Sequence, residues 1–441
     1  MTKIPLQQIF YGAPGTGKSN AIEEIVKSFP HVRITFHPDT DYSSFVGTYK
    51  PTMLNNDPQN QLILSMEELA EKLKTYYNDP KSKKTMGLQK FCLDFYPYFK
   101  DGSNCIDNNK LLELAGVPTS YNVEIYKYLN LLNQLPKQEN KVVYKFVPQA
   151  FLKAYCMAWK LIPQPLFLVI EEINRGNCAQ IFGDIFQLLD RDEKGYSKYG
   201  VMADTDIQQF LCSDTKTGFG NITQAQKKKF PKESVWQGAE ILLPPNLHIW
   251  ATMNTSDQSL FPMDSAFKRR WDWKYVKITN GYKRNENGGF IKDTNGNKVP
   301  LNWKIEIQDK EGQLIPWWSF LKKINEIIAS MTSSADKQLG YFFCTADKKQ
   351  NDGDDSKTVI SLNTFVSKVL FYLWNDVFKD YGFEDATLFK YKYKDEDGEE
   401  TYKDLEFQDF YDDEGEEASI ARVTDFVFKV MAWKKGNEDR D

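Results

Sequence analysis

Gly12-Ala13-Pro14-Gly15-Thr16-Gly17-Lys18-Ser19 decides how the rest of this 441-residue chain is read. Its spacing is G-x-x-x-x-G-K-[ST], the pattern of a phosphate-binding P-loop. Gln8 to Tyr11 before it reads as a short buried strand, and Ala21 to Val26 after it as a helix, so the motif has the flanks it requires. Gly12, Gly15 and Gly17 permit backbone shapes that a side chain would obstruct, which lets amides turn inward on an anion. Those amides and the helix N-terminus are suited to hold phosphates, with Lys18 reaching the β/γ-phosphates and Ser19 ligating Mg²⁺. The bland alternative is a glycine-rich turn that binds nothing; the match at every fixed position argues against it.

Two later stretches complete such a site. Pro165 to Glu172 runs five apolar residues into two carboxylates, as expected of a central parallel strand buried on both faces. Ligands of doubly wound sheets bind at that end of a strand. Downstream of a P-loop, Glu171-Glu172 reads as a Walker B pair: the first acid is expected to hold Mg²⁺ through water, the second to polarise the attacking water. Leu247 to Asn254 reads as another buried strand, with Asn254 placed to touch the γ-phosphate or the water. A structural asparagine capping the strand end is its alternative reading. The paired arginines Arg269 and Arg270 sit where ring-forming NTPases place residues that reach a neighbour's site, a task suited to a planar, permanently charged fork.

The composition bounds the rest. The length predicts roughly two to three structural units. Hydrophobic content of 41%, with 14% aromatic, supports a sizeable core. No apolar run approaches the ~20 residues of a membrane span, and the N-terminus lacks a signal-peptide apolar core. The six scattered cysteines form no C-x-x-C pair, which predicts reduced thiols, a cytoplasmic setting and no zinc site. Three histidines make a His-based metal centre a poor expectation, and a net charge of −5 argues against nucleic acid wrapped over the whole surface, though not against a local basic pore.

The expected organisation is α/β. Residues 1–51 form the first part of the core, 52–147 a mainly helical insertion, and 148–278 the second part with an insertion near 195–238. Residues 279–441 form a hairpin insertion and a helical C-terminal lid. Met66, Leu69, Ala70 and Leu73 share one helical face. Ile181, Phe182, Ile185, Phe186 and Leu189 predict one helix with an apolar face. Lys227-Lys228-Lys229 reads as a solvated run, as do the acidic stretches 395–400 and 412–417. Thr294-Asn295-Gly296 predicts a hairpin turn, and Trp317 to Ile328 and Phe365 to Trp374 predict lid helices.

Together these stretches resemble the AAA+ domain of the McrB family, GTPase subunits of restriction systems that cleave modified-cytosine DNA. The resemblance is carried by the P-loop and by Thr35-Phe36-His37 through Phe45 and Gly47 to Pro51. It continues in Glu172 to Asn177 with Ile181 to Asp184, in Met253-Asn254-Thr255-Ser256-Asp257 (the family's M-N-T-x-D), in Asp264 to Arg270, and in Gln338 to Phe342. It implies an AAA+ P-loop NTPase with a parallel sheet core, in which Gly12 to Ser19 bind nucleotide, Ser19 and Glu171 serve Mg²⁺, and Glu172 is catalytic. Asn254 and Asp257 would position water, and Arg269 and Arg270 would act across a subunit interface. It also implies a hexameric ring, a McrC-type nuclease partner, DNA translocation and GTP as substrate, with ATP the wider AAA+ default. A loop that grips only phosphates leaves the base open.

The family usually has aspartate where Glu171 stands and arginine where Gln258 stands. Its N-terminal DNA-reading domain is expected to be missing, since the P-loop strand begins almost at once. Two rival readings follow. One is a MoxR- or dynein-related remodeller of protein complexes; the other, motivated by Glu171 and Gln258, is a nucleotide-sensing scaffold with little hydrolysis.

Overall fold

The computed structural model describes residues 4–53, 65–80, 82–95, 99, 107–134, 142–255, 261–285, 288–332, 336–350, 357–379, 387–394, 400–412 and 414–434. The chain divides into two compact units, one of residues 1–48 with 148–441 and one of residues 49–147.

The larger unit is built on five parallel strands: β1 (Gln7–Gly12), β2 (His31–Thr35), β3 (Leu166–Glu171), β4 (Leu247–Asn254) and β5 (Asp272–Tyr275). Their order is β2-β3-β4-β1-β5. A parallel sheet covered on both faces needs strands that are apolar on both. Leu166 to Ile170 and Leu247 to Thr252 are accordingly buried without interruption. The helix Lys18–Val26 lays Ile22 and Val26 against Phe10, Phe167, Val169 and Trp250. The helix Ala150–Leu161 buries Phe151, Tyr155 and Trp159 and packs on β2 and β3. The register brings the important strand ends to one edge, with Gly12 opposite Asn254 and Thr35 opposite Glu171.

Three sequence expectations change. The single helix expected through 181–189 is broken: a helix Cys178–Phe182 ends at Gly183, and Gly183–Leu189 continues with the tighter 3₁₀ winding. Gly183 breaks it with φ +46° and ψ −131°, a backbone open to glycine, and a Cβ there would also sit 3.1 Å from the Tyr42 ring. The lysine run 227–229 is not simply solvated. The Lys227 ammonium stands 4.1 Å over the Trp236 ring, and Lys229 Nζ donates to the Ile162 carbonyl at 2.7 Å. The C-terminal part, expected as a hairpin insertion and a helical lid, also holds a sheet. Beside the helices Trp317–Thr332 and Ile420–Ala432 it carries a four-stranded sheet of Leu314–Pro316, Lys304–Gln308, Lys357–Ile360 and Lys348–Lys349, in that order. Ile305 and Ile307 alternate with polar residues and face the same core as Trp317, Phe320 and Phe426, the period of a half-buried strand. The turn expected at 294–296 is present, with Gly296 at φ +83° and Asp293 N–H bonded to the Asn297 carbonyl at 2.8 Å.

In the smaller unit, four helices (Met66–Tyr77, Lys84–Asp94, Asn108–Ala115 and Asn122–Gln134) surround Leu69, Leu73, Leu88, Phe91, Leu111 and Ile125. Ser65 and Glu68 form a reciprocal capping box at the first helix, and Asp107 caps the third, satisfying amides that have no partner within a helix.

Among the described residues no helix is long and apolar enough to cross a membrane. Burial pushes the thiols of Cys92, Cys156, Cys178 and Cys344 up to about 12, which disfavours the thiolate form. Of the 395–400 acidic stretch only Glu400 is described; among the described residues of 412–417, Asp412 accepts from the Glu416 amide in an exposed turn.

Below the sheet, the Arg191 guanidinium is buried and donates to the carbonyls of Gly195, Pro244 and Leu247 at 2.8, 3.0 and 2.9 Å. It ties the turn after residue 190 to the start of β4. Arg191→Met removes the guanidinium donors from three buried carbonyls, of which Pro244 keeps the Leu247 amide at 3.2 Å, and each buried acceptor left without a donor costs about 1–3 kcal/mol. A drop in unfolding free energy on the order of 3 kcal/mol or more is expected by urea denaturation; a loss below about 1 kcal/mol would show that these bonds do not hold the edge together.

Candidate active site

The P-loop turns off β1 at Gly12, whose φ is +152°; a Cβ there would lie 2.6 Å from the Val276 carbonyl oxygen. Gly17 stands at the helix N-cap in the left-handed region (φ 83°, ψ 28°), with no side-chain cap. The first amides of the helix Lys18–Val26 therefore face the loop, where a phosphate would meet them. Lys18 is buried and arches over the loop, its Nζ donating to the carbonyls of Gly12 (3.1 Å) and Ala13 (2.9 Å). The Thr16 hydroxyl donates to the Ala13 carbonyl at 2.9 Å.

Ser19, the next residue, points at β3. Its hydroxyl donates to Glu171 Oε2 at 2.8 Å, and the Thr252 hydroxyl donates to the same oxygen at 2.6 Å. The other oxygen, Oε1, takes an ion pair from Arg33, which also pairs with Glu23. A hydroxyl and a carboxylate oxygen meeting beside the phosphate loop are hard donors of the kind Mg²⁺ takes, so Ser19 and Glu171 fit that ion. Among the described residues no cluster of three His, Cys, Asp or Glu side chains exists. The rest of a Mg²⁺ shell would come from phosphate and water, its usual partners.

Glu172 turns the other way. It is a non-glycine residue in the left-handed region (φ 56°, ψ 48°), a conformation that costs about 1–2 kcal/mol. The surroundings hold it there. Its amide donates to Thr252 Oγ1 at 3.1 Å, and its two carboxylate oxygens accept from Asn254 Nδ2 at 3.0 and 3.1 Å. Asn174 Nδ2 in turn donates to the Asn254 carbonyl at 3.0 Å, and Arg175 Nε lies 3.4 Å from Glu172 Oε2. The adjacent acids thus face different tasks: Glu171 is committed to hydroxyls and a guanidinium, and Glu172 to the end of β4.

The fold brings Lys18, Ser19, Glu171, Glu172 and Asn254 together. Asp257 and Gln258 lie outside the described residues. Arg269 and Arg270 stand at the opposite edge of the sheet, just before β5, where Asp272 pairs with Gln8. They differ from one another. Arg269 is exposed. The Arg270 side chain is 9% exposed, pairs with Asp190 at 2.6 Å, donates to the Ala266 carbonyl and covers the Phe186 ring at 3.9 Å. Arg270 is therefore engaged within its own subunit. Sequence reading assigned no role to Thr252, Arg33 or Asn174. Thr252 had a signal: it is polar inside a buried apolar strand and two residues from Asn254, hence on the same pleat face.

No family model matches the chain. It is 31% identical over 386 residues to the Type II restriction enzyme BsuMI component YdiS of Bacillus subtilis (strain 168), covering 86% of this chain and 81% of that protein. It is 24% identical over 184 residues to the Type IV methyl-directed restriction enzyme EcoKMcrB subunit of Escherichia coli (strain K12), covering 41% of this chain and 29% of that protein.

The two arginines should separate in stability measurements. Arg270→Ala strands the Asp190 carboxylate and uncovers Phe186, with an expected loss of about 2–3 kcal/mol; this is below the 3–5 of a fully buried pair because Asp190 is partly exposed. Arg269→Ala is expected to stay within about 0.5 kcal/mol of the parent. Equal melting shifts for both would refute the distinction.

Proposed function

This chain belongs to the McrB-like family of AAA+ restriction proteins, and from that premise we propose that it is a nucleoside triphosphatase driving a ring-forming DNA restriction motor with a separate nuclease subunit. The carrying observation is the convergence of Lys18, Ser19, Glu171, Glu172 and Asn254 at one sheet edge. The substrate is GTP or ATP with Mg²⁺.

In this reading the P-loop amides and Lys18 bind the β/γ-phosphates and offset their charge. Ser19 and Glu171 would hold Mg²⁺, which neutralises charge on the transferred phosphate when bound. Glu172 orients the attacking water and accepts its proton, and Asn254 fixes the carboxylate that does so. Thr252 keeps both acids in place by bonding each of them. Arg269 is the residue that would reach a neighbouring subunit's phosphate, because Arg270 is already engaged. The order of core strands, with the Asn254 strand between the P-loop strand and the acidic strand, supports this division of labour.

Cleavage falls to another subunit, since both site carboxylates are used in nucleotide chemistry. DNA is engaged through the assembled complex. The partner we infer is a nuclease of the McrC type, and the assembly a hexamer.

Lys18→Ala is expected to abolish triphosphate binding by calorimetry. Glu172→Gln is expected to keep binding and lower turnover by about 10²–10⁴, the usual worth of a general base. Thr252→Val should lower turnover while leaving binding. The restriction reading is tested by assaying modified and unmodified DNA with this protein and the candidate nuclease subunit, separately and together. Cutting only by the pair, with hydrolysis stimulated by the partner, is the expected outcome. Cutting by this chain alone, or hydrolysis stimulated by an unfolded polypeptide and not by the partner, would overturn it.

A further inference from the structure

The outer side of the P-loop is held by the C-terminal part of the same unit. The Gly340 amide donates to the Pro14 carbonyl and the Phe342 amide to the Gly15 carbonyl, both at 2.8 Å. The approach is close enough to require glycine on each side: a Cβ on Gly340 would overlap the Gly15 carbonyl carbon, and one on Gly15 would overlap the Phe343 backbone. Gly340 itself has φ −82° and ψ 164°, a conformation any residue adopts, so contact alone excludes a side chain there.

This strip is itself rigidly mounted. The buried Asn325 side chain bonds both the amide and the carbonyl of Leu339 at 2.8 Å. Trp317 Nε1 donates to the Tyr341 carbonyl at 2.9 Å, and Gln338 Nε2 to the Asn325 carbonyl at 3.0 Å. All three anchors lead to the helix Trp317–Thr332.

In a trans peptide the carbonyl and the amide of one plane point opposite ways. A Pro14 carbonyl turned out to Gly340 therefore turns the Gly15 amide inward. A Gly15 carbonyl turned out to Phe342 does the same for the Thr16 amide. We propose that the Gly340–Phe342 strip is a positioning element of the phosphate site, aiming the Gly15 and Thr16 amides at the bound phosphates. The inference rests on the reading of Gly12 to Ser19 as a phosphate loop. Phosphate binding and seating of the lid are then one coupled equilibrium, and each strengthens the other.

The probe is inorganic tripolyphosphate, which has no base or sugar, compared with GTP and ATP. Gly340→Ala is expected to weaken tripolyphosphate and nucleotide by the same factor, about tenfold for the loss of one to two hydrogen bonds. In the unmodified protein, hydrogen exchange at the Gly340 and Phe342 amides is expected to be slow and to slow further at saturating tripolyphosphate. A folded Gly340→Ala protein of unchanged affinity overturns the proposal. So does exchange at those amides that is indifferent to saturating tripolyphosphate, a measurement that holds even where the variant does not fold. Tripolyphosphate bound as tightly by Lys18→Ala as by the parent overturns the phosphate loop itself, a result distinct from loss of binding in Lys18→Ala alone.

Discussion

One hydroxyl organises the centre of this molecule. Thr252 Oγ1 donates to Glu171 and accepts from the Glu172 amide, so a single side chain on β4 fixes two adjacent acids on β3. It is almost completely buried, in surroundings where an unmet polar group is expensive and a satisfied one is specific. The bond to the Glu172 amide helps to hold the left-handed backbone at that residue. That backbone turns the two neighbouring carboxylates apart, one to Ser19 and one to Asn254.

The sheet makes this economy possible. Placing β4 between β1 and β3 sets the polar end of one strand against the phosphate loop on one side and the acidic pair on the other. Parallel strands end together, so one edge collects Lys18, Ser19, Glu171, Glu172 and Asn254. The far edge does structural work: Arg191 gathers three carbonyls there, and Arg270 pairs with Asp190 across the entry to β5. The same edge leaves Arg269 exposed. Neighbouring arginines in the sequence thus have opposite environments, a difference made chiefly by Phe186 and Asp190.

The C-terminal part adds a second layer of constraint. Its helix Trp317–Thr332 carries a stiff strip that meets the back of the P-loop through two backbone hydrogen bonds. Backbone contact of this kind leaves little trace in side-chain chemistry. Its mark in the chain is a pair of glycines, Gly15 and Gly340, more than three hundred residues apart.

Local pattern determined much of this protein. A glycine spacing with one lysine and one serine specified the tight turn between β1 and the helix Lys18–Val26, and unbroken apolar runs ending in Glu171-Glu172 and Asn254 specified two strands buried on both faces and the edge where they end. Those features are legible because each depends on neighbours within about ten residues. The strand at 304–308 was legible too, in the alternation of Ile305 and Ile307, a period that the reading of 279–441 as a hairpin insertion and a helical lid did not use. Tertiary structure alone decided the rest. The lysines at 227 and 229 find Trp236 and the Ile162 carbonyl, and Thr252, Arg33 and Asn174 acquire their partners only when strands distant in sequence become adjacent. The physical reason is the same in each case: burial, ion pairing and peptide orientation depend on what lies across a contact, and a linear chain does not state what it will touch.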